Sequence, residues 1–235
     1  MNNTIDPILC EDLAHISEIF PHWQELAGKS VFVTGATGLV GSMLVRTLCT
    51  APVEVCVIAH VRNEQKARAM FGDLPIRYCL GDVTAPVRYE GEVDHILHTA
   101  SVTASKSFVT EPVQTLMTAI DGTRNLLEFA REKQVKSMVY VSSMEAFGIT
   151  DPSLERVTEK DLGYIDILSV RSSYSEGKRI CECLCAAPVE ITVIAHVRNE
   201  QKARAMFGDL PIRYCLGDVT TPVAYEGEVD TSPRQ

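Results

Sequence analysis

Basic residues are in short supply: 22 Lys and Arg stand against 31 Asp and Glu, a formal charge of −9, and no basic cluster interrupts the deficit. This argues against a nucleic-acid partner. A small anionic ligand must then be held by local groups. The first thirty residues lack a basic start followed by an apolar stretch, and no apolar run is long enough to cross a bilayer. The sequence therefore predicts neither a secretory signal nor a membrane span, but a cytoplasmic protein. Turn-spaced cysteine pairs are missing as well. The eight cysteines sit inside apolar strand and helix patterns, which predicts free buried thiols. Cys181, Cys183 and Cys185 form C-x-C-x-C without the second pair or neighbouring histidines of structural zinc sites, so no metal site is expected. With 46% hydrophobic residues in a chain of 235, one sizeable core can be buried, or one core plus a small appendage.

What is present is a glycine loop in a telling setting. The β-branched and apolar run Val31, Phe32, Val33 meets a turn with Gly35, Gly38 and Gly41, and a helical apolar pattern (Leu39, Val40, Met43, Leu44, Leu48) follows directly. Strand, tight loop and helix in this order aim the first backbone N–H groups of the helix, with its positive dipole end, at an anion. The missing side chains let a diphosphate approach the backbone. This is the context that the dinucleotide fingerprint requires.

Residues 1–27 carry acids, two prolines and an amphipathic stretch (Leu13, Ile16, Ile19, Phe20, Trp23, Leu26), which predicts a helical extension packed on the outside of the domain. After the loop and its helix, 53–61 is dense in β-branched residues, the pattern of a parallel strand buried on both faces. A helix over 63–71 and strands near 76–80, 93–99 and 136–142 follow, the last two separated by a long helix that ends in 125–131. Strands alternating with helices predict a doubly wound parallel sheet, an α/β Rossmann domain over 28–186. Residues 51–94 then recur as 187–230. Of the 44 aligned positions only Val55/Ile191, Cys56/Thr192, Ala85/Thr221 and Arg88/Ala224 differ, so 187–235 reads as an internal duplication. Its opening run, 189–197, is expected to act as a sixth strand at the sheet edge, with a helix over 199–207 and a strand over 212–216 beyond it.

Two further stretches carry chemistry. Ser142 and Ser143 end the fifth strand at its carboxyl edge, where open α/β sheets bind ligands. About thirty residues on, Tyr174 and Lys178 stand four apart, hence on one face of a helix. A fixed ammonium beside a phenol favours the phenolate, so such a pair can exchange a proton with a sugar hydroxyl while a nicotinamide takes or returns a hydride.

In TGATGLVG (34–41), GDV (81–83), HTAS (98–101), VSSMEAFG (141–148) and YSEGK (174–178), the chain resembles the extended short-chain dehydrogenase/reductase family, specifically its nucleotide-sugar epimerases and dehydratases. The resemblance covers about 28–186 and implies NAD or NADP as cofactor, a nucleotide sugar as substrate and the possibility of a homodimer. Carried over, Gly35, Thr37, Gly38, Leu39, Val40 and Gly41 cradle the pyrophosphate. Asp82 and Val83 flank the adenine, and Thr99, Ala100 and Ser101 line the cofactor path. Ser143 hydrogen-bonds the reacting oxygen, Tyr174 is the acid/base, and Lys178 holds the nicotinamide ribose and tunes Tyr174. Glu145 occupies the place of the acid that eliminates water in the dehydratases.

Three departures stand out. The second strand ends in His60-Val61-Arg62-Asn63, without the acid that binds ribose hydroxyls in NAD-preferring members. Arg62, with Asn63 beside it, could instead meet a 2′-phosphate. Ala119 stands where the family often has Asn, and the family's substrate lobe is expected to be missing. The leading expectation is an epimerase/dehydratase core impaired by that loss. The alternatives are a dinucleotide-binding module without turnover and an NADPH-dependent carbonyl or thioester reductase.

Overall fold

The computed structural model describes residues 6–187 in full and two later strands by their backbone. The strands are β1 (Lys29–Thr34), β2 (Val55–Val61), β3 (Ile76–Leu80), β4 (His95–His98), β5 (Ser137–Tyr140), β6 (Val193–Val197) and β7 (Ile212–Leu216). The helices are α1 (Pro7–Ile19), α2 (Leu39–Cys49), α3 (Glu64–Phe71), α4 (Ser105–Thr110), α5 (Pro112–Lys133) and α6 (Ser172–Ala186). All seven strands form one parallel sheet in the order β3-β2-β1-β4-β5-β6-β7. The doubly wound Rossmann architecture expected from the alternation of elements is the fold observed.

Successive side chains of a strand face opposite ways, and here both faces are covered. Phe32, Ile58, Ile96 and Met138 pack with Leu126, Phe129 and Ala130 of α5 and Cys185 of α6. Val31, Val33, Val57 and Ala59 pack on the other side with Val45 and Leu48 of α2 and Ala67 and Phe71 of α3. Each of the Val, Leu, Ile, Phe and Met side chains among them contributes about 1.5–3 kcal/mol by leaving water. Trp23, in a short 3-10 turn after α1, joins this second layer, and its indole N–H donates to Ser17 O at 2.9 Å.

Several expected boundaries shift. β2 begins at Val55 and β4 at His95, each two residues late, and α4 has no counterpart among the expected elements. The described thiols are free, but Cys10 and Cys183 are exposed, contrary to expectation. Cys183 lies two residues from each of the buried Cys181 and Cys185, which turns it to the outer side of α6. The expected helix over 199–207 and the first residues of the expected sixth strand lie outside the described residues. Within the described part, β6 pairs with β5 through Met138↔Val193, and β7 lies beyond it. The register of β6 on β7, Val193↔Ile212 through Val197↔Leu216, repeats that of β2 on β3, Val57↔Ile76 through Val61↔Leu80.

At the amino end of the sheet the polar groups satisfy one another. Asp94 Oδ2 accepts from Ser30 N and Oγ at 2.8 and 2.9 Å, and its Oδ1 is 2.9 Å from Lys136 Nζ. Burial works to raise the Asp94 pKa, yet the Lys136 and Ser30 hydrogen bonds outweigh it and hold the carboxyl well below its usual range. Among the described residues no helix is long and apolar enough to cross a membrane, and no cluster of metal-ligating side chains occurs.

Candidate active site

The glycine loop leaves no room for side chains. Gly35 has φ +62°, and a Cβ there would lie 2.7 Å from both Ala100 N and Thr99 Oγ1. A Cβ on Gly41 would collide with Gly35 O. Gly38 is less confined, with Gly35 O at 3.1 Å. It stands at the N-cap of α2 with no side-chain cap, so the first N–H groups of that helix keep their donors for a ligand. Thr37 is half-buried, while Leu39 is 87% exposed and Val40 also lies open at the helix start. A cradle of bare backbone beside an apolar rim fits a dinucleotide pyrophosphate.

The loop is fixed from the β4 side. Thr99 Oγ1 donates to Thr34 O at 2.7 Å, and Ala100 N donates to Thr34 Oγ1 at 3.2 Å. His98 spans the interior from Thr34 Oγ1 (2.8 Å) to Thr123 Oγ1 (3.3 Å). Burial, helped by the Lys178 and His60 charges, pushes its pKa down to about 3, so this bridge is a neutral imidazole. Ser101 continues the wall and donates weakly to Val102 O at 3.4 Å.

On the far side, Val83 is buried and its carbonyl accepts from Asn125 Nδ2 at 2.8 Å. Asp82 Oδ1 accepts from Thr84 N and Oγ1 at 3.0 and 2.8 Å; these bonds lead the causes that lower its pKa. Arg62 reaches to 3.8 Å from Asp82 Oδ2. Asn63 is already engaged: its Oδ1 caps α3 by accepting from Lys66 N at 2.8 Å.

Beyond β5, Ser143 caps a 3-10 turn (Met144–Phe147), accepting from Glu145 N at 3.2 Å. Glu145 is clamped, with Oε1 3.0 Å from Arg171 Nη2 and Oε2 accepting from Ser175 Oγ at 3.2 Å. Tyr174 lies flat on Phe108, with centroids 4.2 Å apart and planes at 9°. Lys178, only 3% exposed, donates to Val141 O at 2.8 Å and places Nζ 5.8 Å from the Tyr174 ring centre and 4.8 Å from that of Tyr140. Burial lowers the Lys178 pKa, against the pull of Cys181 and Glu182. Burial also raises that of Tyr140 far above the ordinary range, while Tyr174 is half-buried. Gly177 faces α5. A Cβ there would sit 3.4 Å from Ala119 Cβ and 3.5 Å from Leu116 Cδ1, so α6 lies close against α5.

The stretch that holds the glycine cradle and the Tyr/Lys helix is also the stretch in which the chain is similar to known proteins. The NAD-dependent epimerase/dehydratase family matches over residues 31–190. The chain belongs to this family. UDP-glucuronic acid decarboxylase 1 of Xenopus tropicalis is 30% identical over 161 residues, 68% of this chain and 37% of that one. UDP-glucuronic acid decarboxylase 2 of Arabidopsis thaliana is 32% identical over 189 residues, 77% and 41% of the two chains. The chain thus spans about two fifths of the length of these relatives. In fold it is similar to UDP-glucose 4-epimerase of Thermotoga maritima with UDP-glucose (TM-score 0.57, 19% identity, 71% of this chain and 55% of that one). It is likewise similar to the Thermus thermophilus UDP-glucose 4-epimerase complex with NAD (TM-score 0.54, 21% identity, 71% and 54%).

For a member of the epimerase/dehydratase family, sequence reasoning left out four neighbours of these residues: Phe108 under Tyr174, Arg171 and Ser175 on Glu145, and His98 behind the glycine loop. The capping role of Asn63 was missed too, although an N-cap residue at the start of a helical pattern is a legible local signal.

Proposed function

We propose that this chain binds a nicotinamide dinucleotide along the carboxyl edge of its sheet and moves a proton at a hydroxyl of a nucleotide sugar, as in epimerase- or dehydratase-type oxidoreduction. One observation carries the reading: buried Lys178, anchored on Val141 O, faces Tyr174 on the same side of α6. Gly35, Gly38 and Gly41 would hold the pyrophosphate, with Thr37, Leu39 and Val40 around them and Thr99, Ala100 and Ser101 along the path. Asp82 and Val83 would flank the adenine. The nicotinamide, when bound, supplies a hydride acceptor and donor. Lys178 favours the Tyr174 phenolate and holds the ribose, the phenolate takes the hydroxyl proton and becomes the phenol, and Ser143 steadies the reacting oxygen. Glu145 would act in elimination. The names of the relatives support a UDP-sugar as substrate.

A binding module without turnover is the second reading. It is favoured by the cleft beside Glu145, lined by Ile149, Tyr164, Asp166 and Ser172, whose volume of about 280 Å3 is small for a sugar nucleotide. Incubating the protein with NAD or NADP and either UDP-glucose or UDP-glucuronic acid, and following reduced nicotinamide at its near-ultraviolet band, separates the two. Tyr174→Phe should keep dinucleotide binding and lose hydride transfer by roughly 10²–10⁴-fold. Equal rates in both proteins would remove Tyr174 from the reaction.

The same proposal extends to organisation. Residues 1–27 are read as a helical extension, 28–186 as the dinucleotide-binding domain and 187–235 as a near-copy that completes the sheet edge, a role supported by the repeated strand register. Val113 and Met117, exposed one turn apart on α5, suit a homodimer contact, to be tested by light scattering. The protein is read as cytoplasmic.

A further inference from the structure

The end of β2 leaves one charge uncommitted. His60 is 4% exposed and has no hydrogen-bond partner among the described residues; burial pushes its pKa down to about 4 against the pull of Asp82, so the ring is neutral. Its Nε2 fills the space beside Gly81, 2.9 Å from where a Cβ would stand. Val61 is buried, the Asn63 carbonyl is spent on capping α3, and Glu64 Oε1 is bound by Arg68 at 2.7 Å. None of these can receive a ribose diol as an unpaired carboxylate does. Arg62, its side chain 82% exposed, is the remaining charged group.

Asp82 is the nearest acid, but it follows β3, and its Oδ1 is committed to Thr84. Its Oδ2 stands 3.8 Å from Arg62 Nη1, beyond hydrogen-bond range, and an ion pair between exposed groups is a weak tie. The guanidinium therefore stands directly after β2, exposed beside Asp82, without being consumed. Its planar fork of N–H donors suits phosphate oxygens and offers nothing to a hydroxyl that must donate. A dianion placed on the solvent side of Arg62 is also shielded from the Asp82 carboxylate by the guanidinium between them.

We propose that Arg62 makes this site select the 2′-phosphorylated dinucleotide, NADP, over NAD. The inference rests on the dinucleotide reading above and departs from the cofactor in the family's description.

Calorimetry on the full chain decides it, with NADP and NAD as probes beside the fragments adenosine 2′,5′-bisphosphate and adenosine 5′-monophosphate. NADP is expected to bind at least tenfold tighter than NAD, with the fragments showing the same preference. Arg62→Ala should erase the ratio by weakening NADP alone, and Arg62→Lys, which keeps the charge without the fork, should restore part of it. NAD binding as tightly as NADP, or a ratio untouched by Arg62→Ala, overturns the inference and leaves the dinucleotide reading standing. Absence of binding by all four probes overturns both.

Discussion

At the amino end of the sheet, Ser30, Asp94 and Lys136 spend their hydrogen-bonding groups on one another, and His95 and Ser137 pair beside them at 2.8 Å. At the carboxyl end, built from the same strands, Gly38 caps its helix with nothing, Arg62 stands in solvent and Leu39 lies bare. Buried polar groups are normally satisfied within the fold, and apolar side chains are normally covered. The carboxyl rim, with exposed donors and a bare apolar side chain next to an end that closes on itself, is where the proposed ligand would find its partners. The difference teaches where stability and where binding are held in this chain.

The largest expected effect breaks the comparison at the loop. Gly41→Val drives a branched side chain into Gly35 O and Thr99 Oγ1, and dinucleotide affinity measured by calorimetry should fall by more than about 100-fold, roughly 3 kcal/mol. Unchanged affinity would show that the loop is not the cradle. Gly38→Val should be milder, because that position meets one atom at 3.1 Å.

Next in size is the closed end. Asp94→Ala leaves Ser30 N without its carboxylate and Lys136 without its partner, and should lower stability in denaturant titration by about 1–3 kcal/mol with dinucleotide affinity unchanged. Loss of affinity without loss of stability would reverse the roles assigned to the two ends.

The acid limb of stability sharpens the same contrast. Below about pH 6.5 an unfolded chain takes up protons that His60 and His98, with folded pKa values near 4 and 3, refuse, so stability should start to fall there as pH drops. The Asp94 carboxyl titrates lower in the folded chain than its ordinary value of about 3.9. Its contribution is therefore complete above that pH and is lost as pH falls further. Asp94→Asn should flatten the steep lower part of the curve and leave the histidine part unaltered. A curve that stays level from pH 7 to 5 would mean that neither ring is buried neutral.

The smallest effect concerns the rim. Leu39→Ser should change stability by less than about 0.5 kcal/mol while weakening dinucleotide binding a few-fold. A large stability loss would show that Leu39 is packed against the protein itself.

Most of the sheet was legible because a strand buried on both faces can tolerate little but β-branched and apolar residues, as in Val55–Val61 and Val31–Val33. α4 was not, since Ser105–Thr110 is a single short turn and a half with too few apolar positions to set a period. The site divides the same way. The cradle and the Tyr174/Lys178 pair are local in sequence, so spacing reveals them. Phe108 meets Tyr174 across 66 positions, and Arg171 and Ser175 meet Glu145 from 26 and 30 positions away. Such contacts exist only once the chain has folded. Asp94 and Ser30, 64 positions apart, were hidden for the same reason.

The repeated strand pair bears on how the chain folds. β1 must choose a neighbour while two nearly identical candidates are tethered to it, and in the finished sheet one of them, β2, pairs along all six positions of β1. The tether to β2 is roughly six times shorter than the tether to its copy, which favours it by only about 1.6 kcal/mol in loop-closure entropy. A ratio of about fifteen to one at the first encounter leaves several per cent of chains starting with the wrong partner, and each must release it before the sheet can close. Synthesis from the amino terminus removes the contest, because β2 leaves the ribosome long before its copy exists. Refolding from denaturant restores it. The duplication thus separates two folding histories of one sequence, one ordered by time and the other by tether length.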